Sequence, residues 1–140
     1  MKTSALIALL PLFTLCQSPP LLAEDTSPED LQWQQRVLVF NIDKKQQLPS
    51  IEKDIRDEFK LTVFAIFEGK TYRLDDDTTL TPLPDSQYRA LSERYAQKQQ
   101  VWLIGLDGGI KANYSIENFD MEKVAAFINT MPMRQWELNQ

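Results

Sequence analysis

The chain has 140 residues, with 20 acidic side chains against 15 basic, a formal net charge of −5, one cysteine and no histidine. Without histidine a Ser-His-Asp triad is impossible, and a zinc site would have to be built from carboxylates alone. The acidic balance argues against nucleic acid or an anionic membrane as partner, because both reward a basic patch.

The first 23 residues read as a secretory signal peptide. Lys2 supplies the positive start, Ala5 to Leu15 is an apolar segment of 11 residues interrupted by Pro11, and Leu21-Leu22-Ala23 offers a small residue at the cleavage point. The apolar run is too short to cross a bilayer core of about 30 Å, so no stable membrane insertion is expected. Leu15 before Cys16 is a poor fit to lipoprotein processing, which wants a small residue there. Cleavage after Ala23 leaves 117 residues without cysteine, and without Lys2 the basic residues fall to 14 against 20 acidic, a charge of −6. Residues 24–29 are polar and include Ser27-Pro28, which predicts a loose mature N-terminus before a single domain over 30–140. The expected location is the periplasm or the extracellular space.

Leu31 and Trp33 are the apolar residues of the next segment and are expected to pack beneath a sheet. Val37 to Phe40 is a continuous apolar run, the pattern of a strand covered on both faces, and it exits into Asn41-Ile42-Asp43. Leu48, Ile51, Ile55 and Phe59 follow helical spacing, with Pro49 suited to the first turn. Leu61 to Phe67 is again strand-like, so strand, helix, strand forms a parallel crossover. Glu68 to Asp85 reads as the longest irregular region, with an optional hairpin around Thr71 to Leu74. Its Asp75-Asp76-Asp77 run lacks the alternating ligands and turn glycine of an EF-hand and is read as a solvated loop.

Asp85 or Ser86 can cap a second helix whose buried stripe is Tyr88, Leu91 and Tyr95. Val101 to Leu106 is a buried strand, Asp107-Gly108-Gly109 a hairpin turn, and Ile110 to Ser115 an alternating strand with Ile110, Ala112 and Tyr114 on one side. A last helix starts near Asp120 with Met121, Val124, Ile128 and Met131 at helical intervals, and Pro132 ends it. The order is β-α-β-α-β-β-α. That order predicts an α/β, thioredoxin-like three-layer sandwich with a mixed four-stranded sheet and helices on both faces. A ferredoxin-like fold would need a second crossover after the hairpin, and the chain ends too soon.

Asp30-Leu31 with Trp33, Arg36 and Val37 to Phe40 carry a family likeness. So do Arg94-Tyr95, Leu103-Ile104-Gly105, Asp107-Gly108-Gly109, Lys111, Ile128, Met131-Pro132-Met133-Arg134 and Glu137. Together they resemble a domain family of unknown function, also called the DUDES domain, found in exported bacterial proteins and at the C-terminus of sushi-repeat-containing extracellular proteins. The resemblance spans roughly Asp30 to Glu137, and its most specific parts are Gly-x-Asp-Gly-Gly-x-Lys and Met-Pro-Met-Arg. It implies a thioredoxin-like, peroxiredoxin-related fold with no established activity. Leu106, where the family commonly has lysine, and a shortened connection before Val101 depart from the pattern.

Thiol redox work in such a fold needs a cysteine just after the first core strand. Asn41-Ile42-Asp43-Lys44 stands there instead, and Gln100 stands about where thioredoxins place a substrate-facing cis proline. No cofactor, metal or catalytic residue is assigned. The expected role is a protein- or ligand-binding module that uses a rim formed by Asn41, Asp43, Lys44 and Gln100 to hold an exported protein or small ligand. A carboxylate enzyme at that rim is the alternative. Asp107 is expected to form the turn, Lys111 to guard an edge strand, and Arg134 to serve the carbonyls of the final helix.

Overall fold

The computed structural model describes residues 31–140, apart from the side chains of Gln87 and Tyr88. The expected signal peptide and loose mature N-terminus therefore lie outside the described residues, as does the side chain of Tyr88 from the expected stripe.

The elements are β1 (Arg36–Asn41), α1 (Lys53–Glu58), β2 (Leu61–Phe67), β3 (Lys70–Leu74), β4 (Leu80–Pro82), α2 (Asp85–Arg94), β5 (Gln100–Ile104), β6 (Ile110–Ser115), α3 (Met121–Asn129) and α4 (Pro132–Leu138). They form one open mixed sheet of six strands in the order β4-β3-β2-β1-β5-β6. β1 and β2 are parallel, and all other neighbours are antiparallel.

The continuous apolar runs are explained by a core on each side of the sheet. Leu38, Phe40, Val63, Ala65, Val101 and Leu103 face α1 and α3, where they meet Ile55, Val124 and Ile128. Val37, Val39, Phe64, Ile66, Trp102 and Ile104 face the other way, toward Leu91 and Tyr95 at the end of α2. Because side chains alternate along a strand, each of β1, β2 and β5 must be apolar at every position to serve both cores.

The sheet has six strands, not four. The two extra strands come from the segment read mainly as irregular. Glu68 and Gly69 both have positive φ, 51° and 73°, and Phe67 pairs directly with Lys70. A two-residue loop with both central residues left-handed matches the strand twist, so β3 folds straight back on β2.

Other boundaries move too. The expected helix from Leu48 shrinks to Lys53–Glu58, with a single 3-10 turn at Lys45–Gln47 before it. Ile51 is still buried, but outside the helix. The start of α1 is set from afar, by the Asp77 carboxylate accepting the Lys53 backbone N–H at 2.6 Å. α2 starts at Asp85 after Pro84, without a side-chain cap. α3 starts as expected, with the Asp120 carboxylate accepting the Glu122 N–H. The chain does not end its helical structure at Met131, because Pro132 opens α4, where a proline without N–H fits the first turn.

Trp33 does not pack beneath the sheet. It is 62 % exposed, has a φ of 69° and donates its backbone N–H to the Leu106 carbonyl. Leu31 alone reaches the core.

Candidate functional site

The expected rim at the C-terminal end of β1 is a closed polar knot. Asn41 is buried: its Nδ2 donates to the Tyr95 carbonyl at 2.6 Å, and its own carbonyl accepts the Gln99 N–H. Asn41 thus ties the end of α2 to the sheet. Asp43 accepts Gln99 Nε2 at 2.7 Å, while Gln47 Oε1 accepts the backbone N–H groups of Asp43 and Lys44. Gln47 Nε2 donates to Gln99 Oε1. Gln100 is part of β5 and pairs with Asn41 and Ser115. Lys44 is exposed. The sequence reading missed Gln47 and Gln99, which hold this knot, because two polar glutamines in loops carry no periodic signal.

The opposite end of the sheet is built differently. β1 begins at Arg36, and the antiparallel β5 leaves the sheet beside it after Ile104. Gly105 to Gly109 make the turn. Gly105 N–H donates to the Gly109 carbonyl, Gly108 N–H to the Gly105 carbonyl, and Asp107 accepts the Gly109 N–H at 3.0 Å. Gly108 has a φ of 80°, the left-handed region that favours glycine.

A register shift follows. Leu103 pairs with Ala112 but Ile104 with Ile110, so Lys111 is an extra, unpaired residue. Such a bulge re-aims side chains. Ala112 and Tyr114 keep to the core side, whereas Ile110 is 51 % exposed, contrary to the simple alternation expected for this strand. Lys111 swings back over the turn to meet Asp107 at 2.8 Å, and a Cβ on Gly105 would come within 2.6 Å of Lys111 Cε. That hydrogen bond, with help from the Gly109 N–H, holds the Asp107 carboxyl below its ordinary range. Lys111 is therefore a partner for the turn as well as an edge residue.

Arg36, Gly105, Leu106, Asp107 and Lys111, with Met131, Pro132 and Met133 from the α3–α4 junction, line one cleft of about 250 Å³. Seven of these eight residues carried the family likeness; Leu106 is the eighth, the position that departs from its pattern. They lie far apart in sequence and meet because β5 runs antiparallel to β1 and α4 packs back toward the start of β1.

Behind the cleft is a charge cluster. Arg36 is 1 % exposed, donates to the Phe59 carbonyl at 2.9 Å and faces Glu137 at 3.4 Å. Arg134 donates to the Glu58 carbonyl, the Asn129 side chain and Glu137, and lies over the Phe59 ring. It thus serves the end of α1, not the carbonyls of the final helix as expected. Lys60 also reaches Glu137 at 3.6 Å. Burial would raise the Glu137 carboxyl, but the Arg134 hydrogen bond and the charges of Arg36 and Lys60 outweigh it and hold it below 4.5.

Two glycines, a bulge and a proline-started helix shape a cleft whose single lining carboxylate is already paired. That defines an α/β domain with a preformed pocket and no array of free acids and bases. Among the described residues no group of three or more His, Cys, Asp or Glu could hold a metal ion, and no helix is long and apolar enough to cross a membrane. The profile of a family described as a domain of unknown function (DUF4174) matches residues 27–137, and the chain belongs to that family. No curated protein and no solved structure matches it.

Proposed function

We propose that the chain is an exported binding module of thioredoxin-like build that does no thiol chemistry and binds at the cleft beside Arg36. Four observations bear on the build: the parallel β1–β2 crossover, β5 antiparallel on the other side of β1, β6 beyond it, and cores on both faces of the sheet. The β3–β4 hairpin is an addition outside β2. Export rests on the Lys2, Ala5 to Leu15 and Ala23 pattern.

Residues 24–140 contain no cysteine, and the end of the first strand holds the buried, structural Asn41. Binding is favoured over a carboxylate glycosidase because glycoside hydrolysis calls for two carboxyl groups about 5 to 9.5 Å apart across a cleft. Asp107 is the one carboxylate among the residues that line the cleft, and it is already held by Lys111.

The observation that carries the site is the meeting of Arg36, the Gly105–Lys111 turn and Met131–Met133 around one cleft. At the rim, by contrast, Asp43, Gln47 and Gln99 satisfy one another. The test is an amide NMR screen of a chemically diverse fragment library against residues 24–140. Shifts are expected at Gly105, Asp107, Lys111 and Met133; hits confined to Asn41 to Lys45 would move the site back to the rim. Insulin reduction by the same protein should be absent.

A further inference from the structure

We infer that the cleft takes a short aliphatic carboxylate, with the carboxylate drawn to Arg36 and Lys111 and the chain laid against Leu106, Met131 and Met133; this rests on the cleft being the binding site. The first observation is an unused donor. Arg36 lines the cleft and is 1 % exposed, yet its Nε has no hydrogen-bond partner. Its contacts to Glu137 are both long, at 3.4 Å. That N–H is itself shielded from solvent; left unpaired it is costly, and an anion admitted to it by a shift of the cleft wall would remove that cost.

The second observation is the local charge balance. Behind the cleft, connected ion pairs join three cations, Arg36, Lys60 and Arg134, to two carboxylates, Glu58 and Glu137, while Lys111 and Asp107 form a separate, balanced pair in its wall. Among the described residues one positive charge of this group is unmatched, in a chain whose net charge is −5. A monoanion completes the set, while a dianion would overshoot it. The remaining walls are apolar, and a cleft of about 250 Å³ is below the usual range of drug-sized sites, about 300–1,000 Å³. An acid with a short hydrocarbon chain matches both features.

The experiment titrates residues 24–140 with hexanoate, hexanamide and hexylamine and follows the amide signals of Gly105, Asp107 and Lys111. Hexanoate is expected to bind about tenfold or more tightly than the amide, since the charge is the distinguishing contact, and hexylamine not at all. Met133→Glu places an anion on a wall residue that is 40 % exposed, so the fold should persist. It should weaken hexanoate at least about tenfold, while Asp43→Ala should leave binding unchanged.

Equal binding of hexanoate and hexanamide, or hexanoate binding unaffected in Met133→Glu, would overturn the carboxylate assignment. Tighter binding of a dipeptide ending in a free leucine would overturn the free-acid assignment and make a peptide C-terminus the ligand. If neutral library members occupy the cleft and hexanoate does not, this inference falls while the binding site stands. If nothing perturbs the cleft, both fall.

Discussion

At Gly105 the absence of a side chain decides the shape of the cleft wall. A Cβ there would meet Lys111 Cε at 2.6 Å, Lys111 Cγ at 3.1 Å and Asp107 Oδ1 at 3.2 Å, so Gly105→Ala must displace the lysine from Asp107. Little stability is lost, about 1 kcal/mol, because the pair is partly exposed. The Asp107 carboxyl should titrate closer to its ordinary 3.8, as read by carbon NMR. Glu137 is the more consequential residue. Its folded-state pKa is depressed, so the stability it contributes is present above its ordinary 4.5 and is lost as pH falls through the lower folded value. Glu137→Gln should cost about 3 kcal/mol at neutral pH, because buried Arg36 loses its carboxylate. The variant should also show a flatter loss of stability below pH 4.5 than the wild type, measured by urea unfolding across pH.

Among the elements, α1 shows how a short helix survives. Six residues are too few to be helical alone. Its first turn is capped by Asp77, and the carbonyls at its end are taken by Arg134 at Glu58 and Arg36 at Phe59. Asp77→Ala should cost about 1 kcal/mol and speed hydrogen exchange at the Lys53 amide, with exchange in β1 unchanged. The spacing of Leu48, Ile51, Ile55 and Phe59 correctly marked residues that face the core, but periodicity cannot show where a helix begins when the cap comes from a loop 24 residues away. Likewise the alternation of Ile110, Ala112 and Tyr114 was read correctly for two residues and failed at the third. A bulge needs its partner strand to be seen.

For the whole molecule, the sheet separates two ends with different work. Asn41 joins β1 to α2 at one end, and Arg36 joins β1 to α1 and α4 at the other. Five residues of extended strand put them about 16 Å apart. Asn41→Ala should cost about 1–3 kcal/mol by leaving the buried Tyr95 carbonyl unpaired. Combined with Glu137→Gln, the losses should add to within about 0.5 kcal/mol. A double-mutant cycle by urea unfolding checks this, and a large coupling would mean that the ends are not independent.

The strands β1, β2, β5 and β6, the turn at Asp107-Gly108-Gly109 and the Asp120 start of α3 were legible in the residues themselves. Apolar runs, turn glycines and caps are local chemistry, written within a few positions of where they act. The same is true of what the sequence excludes by composition: triad chemistry without histidine, and thiol chemistry in residues 24–140. The cleft was not legible as a site. Seven of its residues stood out as carriers of a family likeness, with Asp107 read as turn former and Lys111 as edge guard, but nothing in the sequence gathered them around one cleft. Only the antiparallel return of β5 beside β1, the bulge at Lys111 and the packing of α4 bring them to one place. A side chain's chemistry is set by its own atoms, but an unpaired guanidinium N–H and an unmatched charge depend on neighbours that the fold supplies from far along the chain.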